Sequence, residues 1–283
     1  MKNLLNIETL VNSLNLPWVT QVWMEGNLLW LLHVVILFTI FLSFFFSALV
    51  IKSGLVFVLA LIVFIRLLYV FSFTGLKKGF LISPVFKLPG DQKEIALTFD
   101  DGPHGEHTPR ILDILAENDI KGTFFVVGKH IELYPEIAQR ICEDGHDLGN
   151  HGYSHTKMKS LCSYKRLAEE YDRAKGLIEK IKPDQKQIFR PPHGEKSMLL
   201  EWLVKKREAV MVNWNVSPKD WKPIEPELLL KRLVDYSHPG SVVLLHDSMN
   251  AVKILPEYIK IMQANGFAFV PITKNQRGIY RCP

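Results

Sequence analysis

A long run of apolar residues near the N-terminus restricts how this 283-residue chain can fold more than any other feature of its sequence. Residues 28–51 read LLWLLHVVILFTIFLSFFFSALVI, which is 24 residues without a formal charge. As an α-helix with some tilt, this run spans the hydrocarbon layer of a bilayer, about 30 Å thick. Its late start and its length argue against a cleaved signal peptide. The run therefore predicts a transmembrane helix.

A second apolar stretch, residues 55–73, follows after only Lys52-Ser53-Gly54 and is interrupted by Arg66. An arginine near the middle of a bilayer costs a few kcal/mol, but its long side chain can extend toward the interface. We therefore predict a transmembrane hairpin of two spans. The alternative is a single span followed by an interfacial helix.

The lysines that flank the two stretches bear on orientation, because cytoplasmic flanks carry an excess of positive charge. Lys77, Lys78 and Lys87 follow the second stretch, whereas Lys52 alone lies in the hairpin. This count predicts an integral protein of the plasma or inner membrane with both termini in the cytoplasm. If Arg66 prevents the second stretch from crossing, the C-terminal domain instead lies on the extracytoplasmic side.

The basic balance of the chain belongs to its apolar part. Residues 1–90 contain six Lys/Arg and two Asp/Glu, and residues 91–283 contain 28 and 27. A nearly neutral C-terminal part lacks the concentrated basic face that nucleic-acid binding needs, so no nucleic-acid partner is expected. The three cysteines have unrelated spacings and predict neither a disulfide framework nor a cysteine metal site.

From residue 92 onward, short apolar runs alternate with amphipathic stretches in about seven strand–helix units without hairpin turns. This alternation predicts an α/β fold with a parallel sheet, and we favour a barrel of about seven parallel strands over an open sheet. The predicted organisation is an N-terminal segment, two transmembrane helices, a linker, the α/β domain and a C-terminal tail, with bounds 1–27, 28–74, 75–91, 92–275 and 276–283.

Polar residues stand at the C-terminal ends of the predicted strands, where α/β barrels collect their catalytic groups. Asp100 and Asp101 end the first strand, and His151 and His155 follow the third. Alone, Asp-Asp-Gly-Pro is typical of a turn, and two histidines four residues apart are often incidental. Together, a carboxylate such as Asp101 and the two imidazoles form the ligand set of a catalytic zinc, which leaves Asp100 free as a base.

Three more polar residues, Arg190, Asp220 and His246, follow the fourth, fifth and sixth predicted strands. Each alone is explained as a surface arginine, a capping aspartate or a strand-end histidine. Polar motifs at five strand ends favour a shared site at one rim of the barrel.

The chain resembles the polysaccharide deacetylase family, also called the NodB-homology or carbohydrate esterase 4 group. The resemblance covers roughly residues 92–275 and rests on five motifs in family order, which are TFDDGP (98–103), HGYSH (151–155), RPPHG (190–194), DW (220–221) and LLH (244–246). It implies a distorted (β/α) barrel and one divalent metal, usually zinc.

The resemblance also implies roles for the residues of the first three motifs. Asp101, His151 and His155 would bind the metal, and Asp100 would be the general base. Arg190 would hold and tune Asp100.

The last two motifs would supply the leaving-group side of the site. His246 would be the general acid, oriented by Asp220. Trp221 and Leu244 would line a pocket for the acetyl methyl group, and the backbone N–H of His193 would help bind the oxyanion.

Three positions depart from the family pattern. Gly152 replaces Ser or Thr, His193 replaces an aromatic residue such as Tyr, and Ser217 replaces Asp. Gly152 in particular predicts the loss of a hydrogen bond that steadies the loop of metal ligands.

The sequence thus predicts a membrane-anchored, metal-dependent hydrolase that removes acetyl from an N-acetylated amino sugar. A cell-envelope polysaccharide is the family's usual type of substrate, and a cytoplasmic domain would favour a polyprenyl-linked saccharide. The alternative, supported by the three departures alone, is a catalytically weak sugar-binding or scaffold protein of a membrane glycan-assembly complex.

Overall fold

A computed structural model describes residues 38–43, 45–46, 54, 58–59, 61–66, 82–158, 163–183 and 185–274. The chain divides into two compact units, Met1–Gly75 and Leu76–Pro283. In the first unit the described residues are short helical pieces, and no helix built from described residues has both the length and the apolar character needed to cross a bilayer. The predicted segment 1–27, most of the predicted spans 28–74 and the tail 276–283 lie outside the described residues.

The described residues of the second unit form seven parallel strands and seven α-helices. The strands are β1 Glu94–Gly102, β2 Thr123–Val126, β3 Asp147–Asn150, β4 Ile188–Phe189, β5 Val210–Met211, β6 Ser241–His246 and β7 Ala268–Phe269. The helices are α1 His107–Glu117, α2 Gly128–Leu133, α3 Pro135–Glu143, α4 Tyr164–Ile181, α5 Met198–Lys206, α6 Pro226–Tyr236 and α7 Met249–Ala264.

The strand order is β5-β4-β3-β2-β1-β6, and β7 pairs with the start of β1. Single parallel bridges at Val85–Val212 and Val216–Val243 connect the region after β5 with the chain before β1 and with β6. These bridges draw the two edges of the sheet together. The parallel α/β sheet predicted from the alternation is confirmed, and its strands are short and its closure irregular.

Strand β1 pairs with β2, β6 and β7, and it is buried on both of its sides. Ile95, Leu97 and Phe99 pack in the main core with Ile111 and Leu115 of α1. Thr98 and Asp100, on the opposite side of the strand, are also buried. Two polar residues inside a strand of this kind must find partners, and they do so in the barrel interior.

Two local features depart from the regular alternation of strands and helices. The run 209–216 forms only the two-residue strand β5, because the following backbone turns to the segment that enters the domain, with Asn213 N–H donating to Val85 O at 2.7 Å. Thr108 does not cap α1, which begins at His107. Its hydroxyl instead accepts from His104 N–H at 2.6 Å and donates to Asp247 Oδ2.

The second half of the predicted linker is packed on the domain. Ile82 and Leu88 are buried, and Leu88 N–H donates to Gly240 O at 2.8 Å. Ile82 belongs to a cluster with Leu200 and Leu203 of α5. The chain therefore enters the domain beside α5.

Gly149 in β3 leaves no room for a side chain, since a Cβ there would overlap the Phe125 ring. We expect Gly149→Ala to destabilise the domain by about 1–3 kcal/mol, the usual cost of overpacking a core. The thermal midpoint should fall by roughly 2–4 °C per kcal/mol. Gly176→Ala in α4 is the matched control, because nothing lies within 4 Å of its Cβ. Equal midpoints for the two variants would contradict this packing.

Candidate metal and catalytic site

Functional side chains gather at the C-terminal ends of β1, β3, β4 and β6. The parallel register places Asp100 opposite His246 and Asn150 opposite Phe189, so the residues that follow these strands share one edge. The structure brings together all five predicted motifs at this mouth of the barrel.

Three side chains converge as a possible metal centre. Ligand atoms of Asp101, His151 and His155 all lie within 4.8 Å of one another. Asp101 Oδ1 is 3.0 Å from His155 Nε2 and 3.4 Å from His151 Nε2. This oxygen is buried, yet no donor among the described residues meets it with hydrogen-bond geometry. Donor atoms that face a common point rather than one another are what a bound cation requires.

The chemistry of this donor set fits a divalent cation such as zinc, which takes imidazole nitrogen and carboxylate oxygen and keeps an open position in catalytic sites. Burial would raise the pKa of Asp101, but the adjacent His151 and His155 hold it far below its usual range. Asp101 is therefore a carboxylate, the form that binds metal. His151 Nδ1 lies 2.8 Å from Arg190 O, and donation to that carbonyl leaves Nε2 facing the site.

The loop that carries the two histidines is steadied without a hydroxyl at position 152. Gly152 N–H donates to Asn150 Oδ1 at 2.8 Å, and Gly152 O accepts from Gly128 N–H at 2.9 Å. Ser154 donates to Glu170 through both its N–H and its hydroxyl. The backbone at Gly152 has a φ of +78°, and a Cβ would lie 2.8 Å from Met158 Cε. Glycine suits this backbone conformation, and the hydrogen bonds of Asn150, Gly128 and Glu170 hold the loop without the hydroxyl that Gly152 lacks.

Asp101 is held in an unusual backbone conformation, with a φ of +72°. The register of β1 against β2 shifts between Asp100 and Gly102, as in a β-bulge. This shift turns two neighbouring carboxylates in different directions. His130 Nδ1 lies 2.7 Å from Asp101 O, and this hydrogen bond holds the Asp101 carbonyl in place.

Asp100 faces inward and pairs with Arg190, which is fully buried. Arg190 Nη1 donates to Asp100 Oδ1 at 2.6 Å and to Thr98 Oγ1 at 2.7 Å. Asp100 Oδ2 remains on the side of the metal centre, 3.7 Å from His151 Nε2. One carboxylate oxygen is thus anchored and the other faces the site.

His246 lies at the end of β6, opposite Asp100, and pairs with Asp220. Asp220 Oδ1 lies 2.9 Å from His246 Nδ1, and Asp220 Oδ2 accepts from His246 N–H at 2.7 Å. Burial would lower the pKa of His246, but the hydrogen bond and the charge of Asp220 raise it above its usual value. Nε2 is left for a partner in the mouth.

The remaining predicted residues border the same mouth. Trp221 is half-exposed and its ring meets that of His246 edge to face at 5.0 Å. Leu244 is buried two residues before His246, on the same side of β6. His193 has a φ of +60°, and its ring lies 4.6 Å from that of His155.

Several residues that position the site carry no motif of their own. His130, Asn150 and Glu170 act through hydrogen bonds to motif residues or to their loops. Thr98, by contrast, is the first residue of the TFDDGP motif and accepts from Arg190. The others are polar residues far apart in sequence, and only the fold brings them to the site.

This combination of a parallel barrel, an Asp-His-His centre and a flanking carboxylate and imidazole defines a class of metal-site hydrolases. The sequence model of the family "Polysaccharide deacetylase" matches residues 87–212. With the relatives described next, this match shows that the chain belongs to the polysaccharide deacetylase family, whose members depend on a metal.

Two curated relatives and one solved structure illustrate the similarity. A peptidoglycan-N-acetylglucosamine deacetylase of Bacillus cereus is 32% identical over 193 residues, 66% of this chain and 70% of the relative. A chitooligosaccharide deacetylase of Azorhizobium caulinodans is 30% identical over 202 residues, 66% and 96% of the two chains. A crystal structure of a carbohydrate esterase 4 pseudoenzyme from Bacillus anthracis is 29% identical, with a TM-score of 0.64 over 68% of each chain.

The convergence of three ligand atoms predicts the effect of removing one of them. His151→Ala should weaken zinc binding by more than the roughly 10–100-fold that loss of an outer hydrogen-bond partner costs. His107→Ala is the control, because His107 contacts Asp247 O at 3.3 Å and not the ligand trio. Zinc content after dialysis against a graded chelator measures both. Equal zinc retention would contradict the assignment of His151 as a ligand.

Proposed function

We propose that the chain is a metal-dependent hydrolase that removes the N-acetyl group from an N-acetylated amino sugar of the cell envelope. The observation that carries this proposal is the Asp101-His151-His155 trio, flanked by the Asp100–Arg190 and Asp220–His246 pairs. The names of the relatives, which are deacetylases of peptidoglycan and chitooligosaccharide, support the substrate class.

Asp101, His151 and His155 would hold the metal. When bound, the metal would polarise the amide carbonyl and acidify the attacking water. Asp100 would take the proton of that water at Oδ2, because Oδ1 is occupied by Arg190. Arg190 thereby keeps the base in one orientation throughout the reaction.

His246 would protonate the leaving amine from Nε2. An amine leaves poorly without a proton, so a positioned acid is needed on the side opposite the base. Asp220 holds Nδ1 and stabilises the imidazolium. The raised pKa of His246 extends the acid form to higher pH than an ordinary histidine allows.

The residues around the mouth would select and orient the sugar. Leu244 and Trp221 would enclose the acetyl methyl group, and the exposed face of Trp221 would stack on a sugar ring. The N–H of His193, whose backbone has a φ of +60°, would help bind the oxyanion.

Removal of the Asp220 charge should move the pH profile. In Asp220→Asn the pKa of His246 falls, so the acid form is lost at lower pH, and the alkaline limb of kcat shifts toward acid. Asp235→Asn, which breaks an exposed pair with Lys231, is the control. The kcat–pH profiles of the three proteins provide the measurement. An alkaline limb that stays in place in Asp220→Asn would remove His246 as the acid.

The proposed function is tested by acetate release from polymeric and polyprenyl-linked N-acetylhexosamine substrates. Purified, zinc-loaded protein should release acetate from at least one of these classes. Asp100→Asn should lose roughly 10²–10⁴-fold in turnover, the usual value of a general base. No release from either class by a correctly folded, metal-loaded protein would contradict the proposal.

A catalytically weak sugar-binding or scaffold protein is the second candidate, because a solved structure similar to this chain is called a pseudoenzyme. His193 and Ser217, which depart from the family pattern, also support this second candidate. Sugar binding without acetate release would favour it. The complete set of Asp100, the metal trio and His246 favours the enzyme.

We also propose that residues 28–74 anchor the protein as two transmembrane helices and that residues 92–275 form the cytoplasmic catalytic domain. The support is the apolar sequence and the flanking lysines. A domain fixed on that side acts only on saccharides presented there, which favours a polyprenyl-linked substrate. An extracytoplasmic domain would favour an exported glycan.

The side of the membrane is open to a labelling test. A cysteine added to the tail 276–283 should resist a membrane-impermeant thiol reagent in intact cells and react after permeabilisation. Cys142, which is partly buried, serves as the native comparison after denaturation. Strong labelling of the tail in intact cells would place the domain outside.

A further inference from the structure

Helix α5 exposes a stripe of apolar and cationic side chains, which are Met198, Trp202, Lys205 and Lys206. Met198 and Trp202 are each 44% exposed, a high value for side chains of this size. Trp202 follows Met198 by four residues, and Lys205 and Lys206 follow Trp202 by three and four residues. These spacings place all four side chains on one face of the helix. The opposite face, with Leu200, Leu203 and Val204, is buried in the domain, so the stripe is not part of the core.

The stripe is ordered by contacts among its own side chains and one neighbour. The Trp202 ring meets the Tyr164 ring edge to face at 4.7 Å. Lys206 Nζ lies over both rings, 5.1 Å from the centroid of Trp202 and 5.9 Å from that of Tyr164. The two aromatic rings and the lysine ammonium group therefore form one patch that is both apolar and positively charged.

Two further positive charges follow Tyr164 in the chain. Lys165 and Arg166, in the first turn of α4, are exposed, as is Glu169 one turn further along the helix. Arg207, by contrast, is neutralised by Asp172 at 2.5 Å and adds little. A partner that complements this surface therefore carries negative charge and provides a region where the Trp202 indole can insert.

The chain enters the domain beside this helix. Ile82 is buried in the same cluster as Leu200 and Leu203, on the inner face of α5. Only eight residues separate it from Phe73, the end of the second apolar stretch. A chain of that length reaches at most about 30 Å. If the apolar stretch ends at a bilayer surface, this chain length keeps Ile82 within about 30 Å of that surface.

We propose that the α5 stripe binds an anionic phospholipid surface. Tryptophan and tyrosine favour the headgroup region, and lysines nearby gain attraction from anionic lipid. The contact would limit rotation of the domain on its tether. The proposal goes beyond the deacetylase reaction and rests on the proposed membrane anchor.

The test uses the full chain with its cysteines replaced by serine. Lys205→Cys carries an environment-sensitive fluorophore, and the protein is reconstituted in phosphatidylcholine–phosphatidylglycerol vesicles that contain a spin-labelled lipid quencher. Lys260→Cys on α7 is the control site, because α7 packs on α1 and α6, whereas α5 packs on α4. Quenching at position 205 should exceed quenching at position 260 several-fold. Phosphatidylcholine alone should reduce the difference.

A charge variant makes the test specific. Lys206→Gln should lower the docked population at the labelled Lys205→Cys site roughly fivefold, the value of one lysine near an anionic surface. Equal quenching at both sites in protein that co-floats with vesicles would overturn the α5 contact and leave the anchor intact. Failure to co-float would refute the anchor and the contact together. A change in emission that follows protein concentration without lipid quenching would identify a protein partner and also overturn the proposal. None of these readouts depends on catalytic activity.

Discussion

The buried pair of Arg190 and Asp100 is the interaction on which the site depends. A guanidinium with no exposed surface costs several kcal/mol to desolvate unless its donors are satisfied. Here they are, by Asp100, by Thr98 and by the carbonyls of Val212 and Asn213. The Phe125 ring lies 4.1 Å from the guanidinium carbon and covers it. One side chain thus ties β1, β4 and the chain after β5 together inside the barrel.

The pairing with Arg190 distinguishes Asp100 from the adjacent carboxylate of Asp101. Asp100 continues β1 and meets Arg190, whereas Asp101 follows the shift in register and takes a positive φ. Because one oxygen of Asp100 is occupied, its other oxygen would be the base of the proposed reaction. Because Asp101 is turned toward two imidazoles, it would be a ligand of the proposed metal centre. The backbone, rather than the chemistry of the side chains, would separate the two proposed roles.

The sequence was sufficient for the parallel sheet and for the gathering of five motifs, because strand alternation and strand-end polarity are local signals. It was insufficient for the partners of those motifs. His130 supports Asp101 from 29 residues away, and Glu170 supports Ser154 from a helix. Gly152 looked like a defect in a motif, yet its φ and the nearby Met158 show why a small residue fits. Such effects depend on contacts that no linear pattern contains.

The separate roles proposed for Asp100 and Asp101 are tested most directly by measuring metal content and turnover together in Asp100→Asn and Asp101→Asn. Both substitutions remove one negative charge and keep the side-chain size, at adjacent positions of β1. We expect Asp100→Asn to retain the metal and lose most turnover, and Asp101→Asn to lose both. Loss of metal in Asp100→Asn with retention in Asp101→Asn, or full turnover in either variant, would contradict the assignment of Asp100 as base and Asp101 as metal ligand.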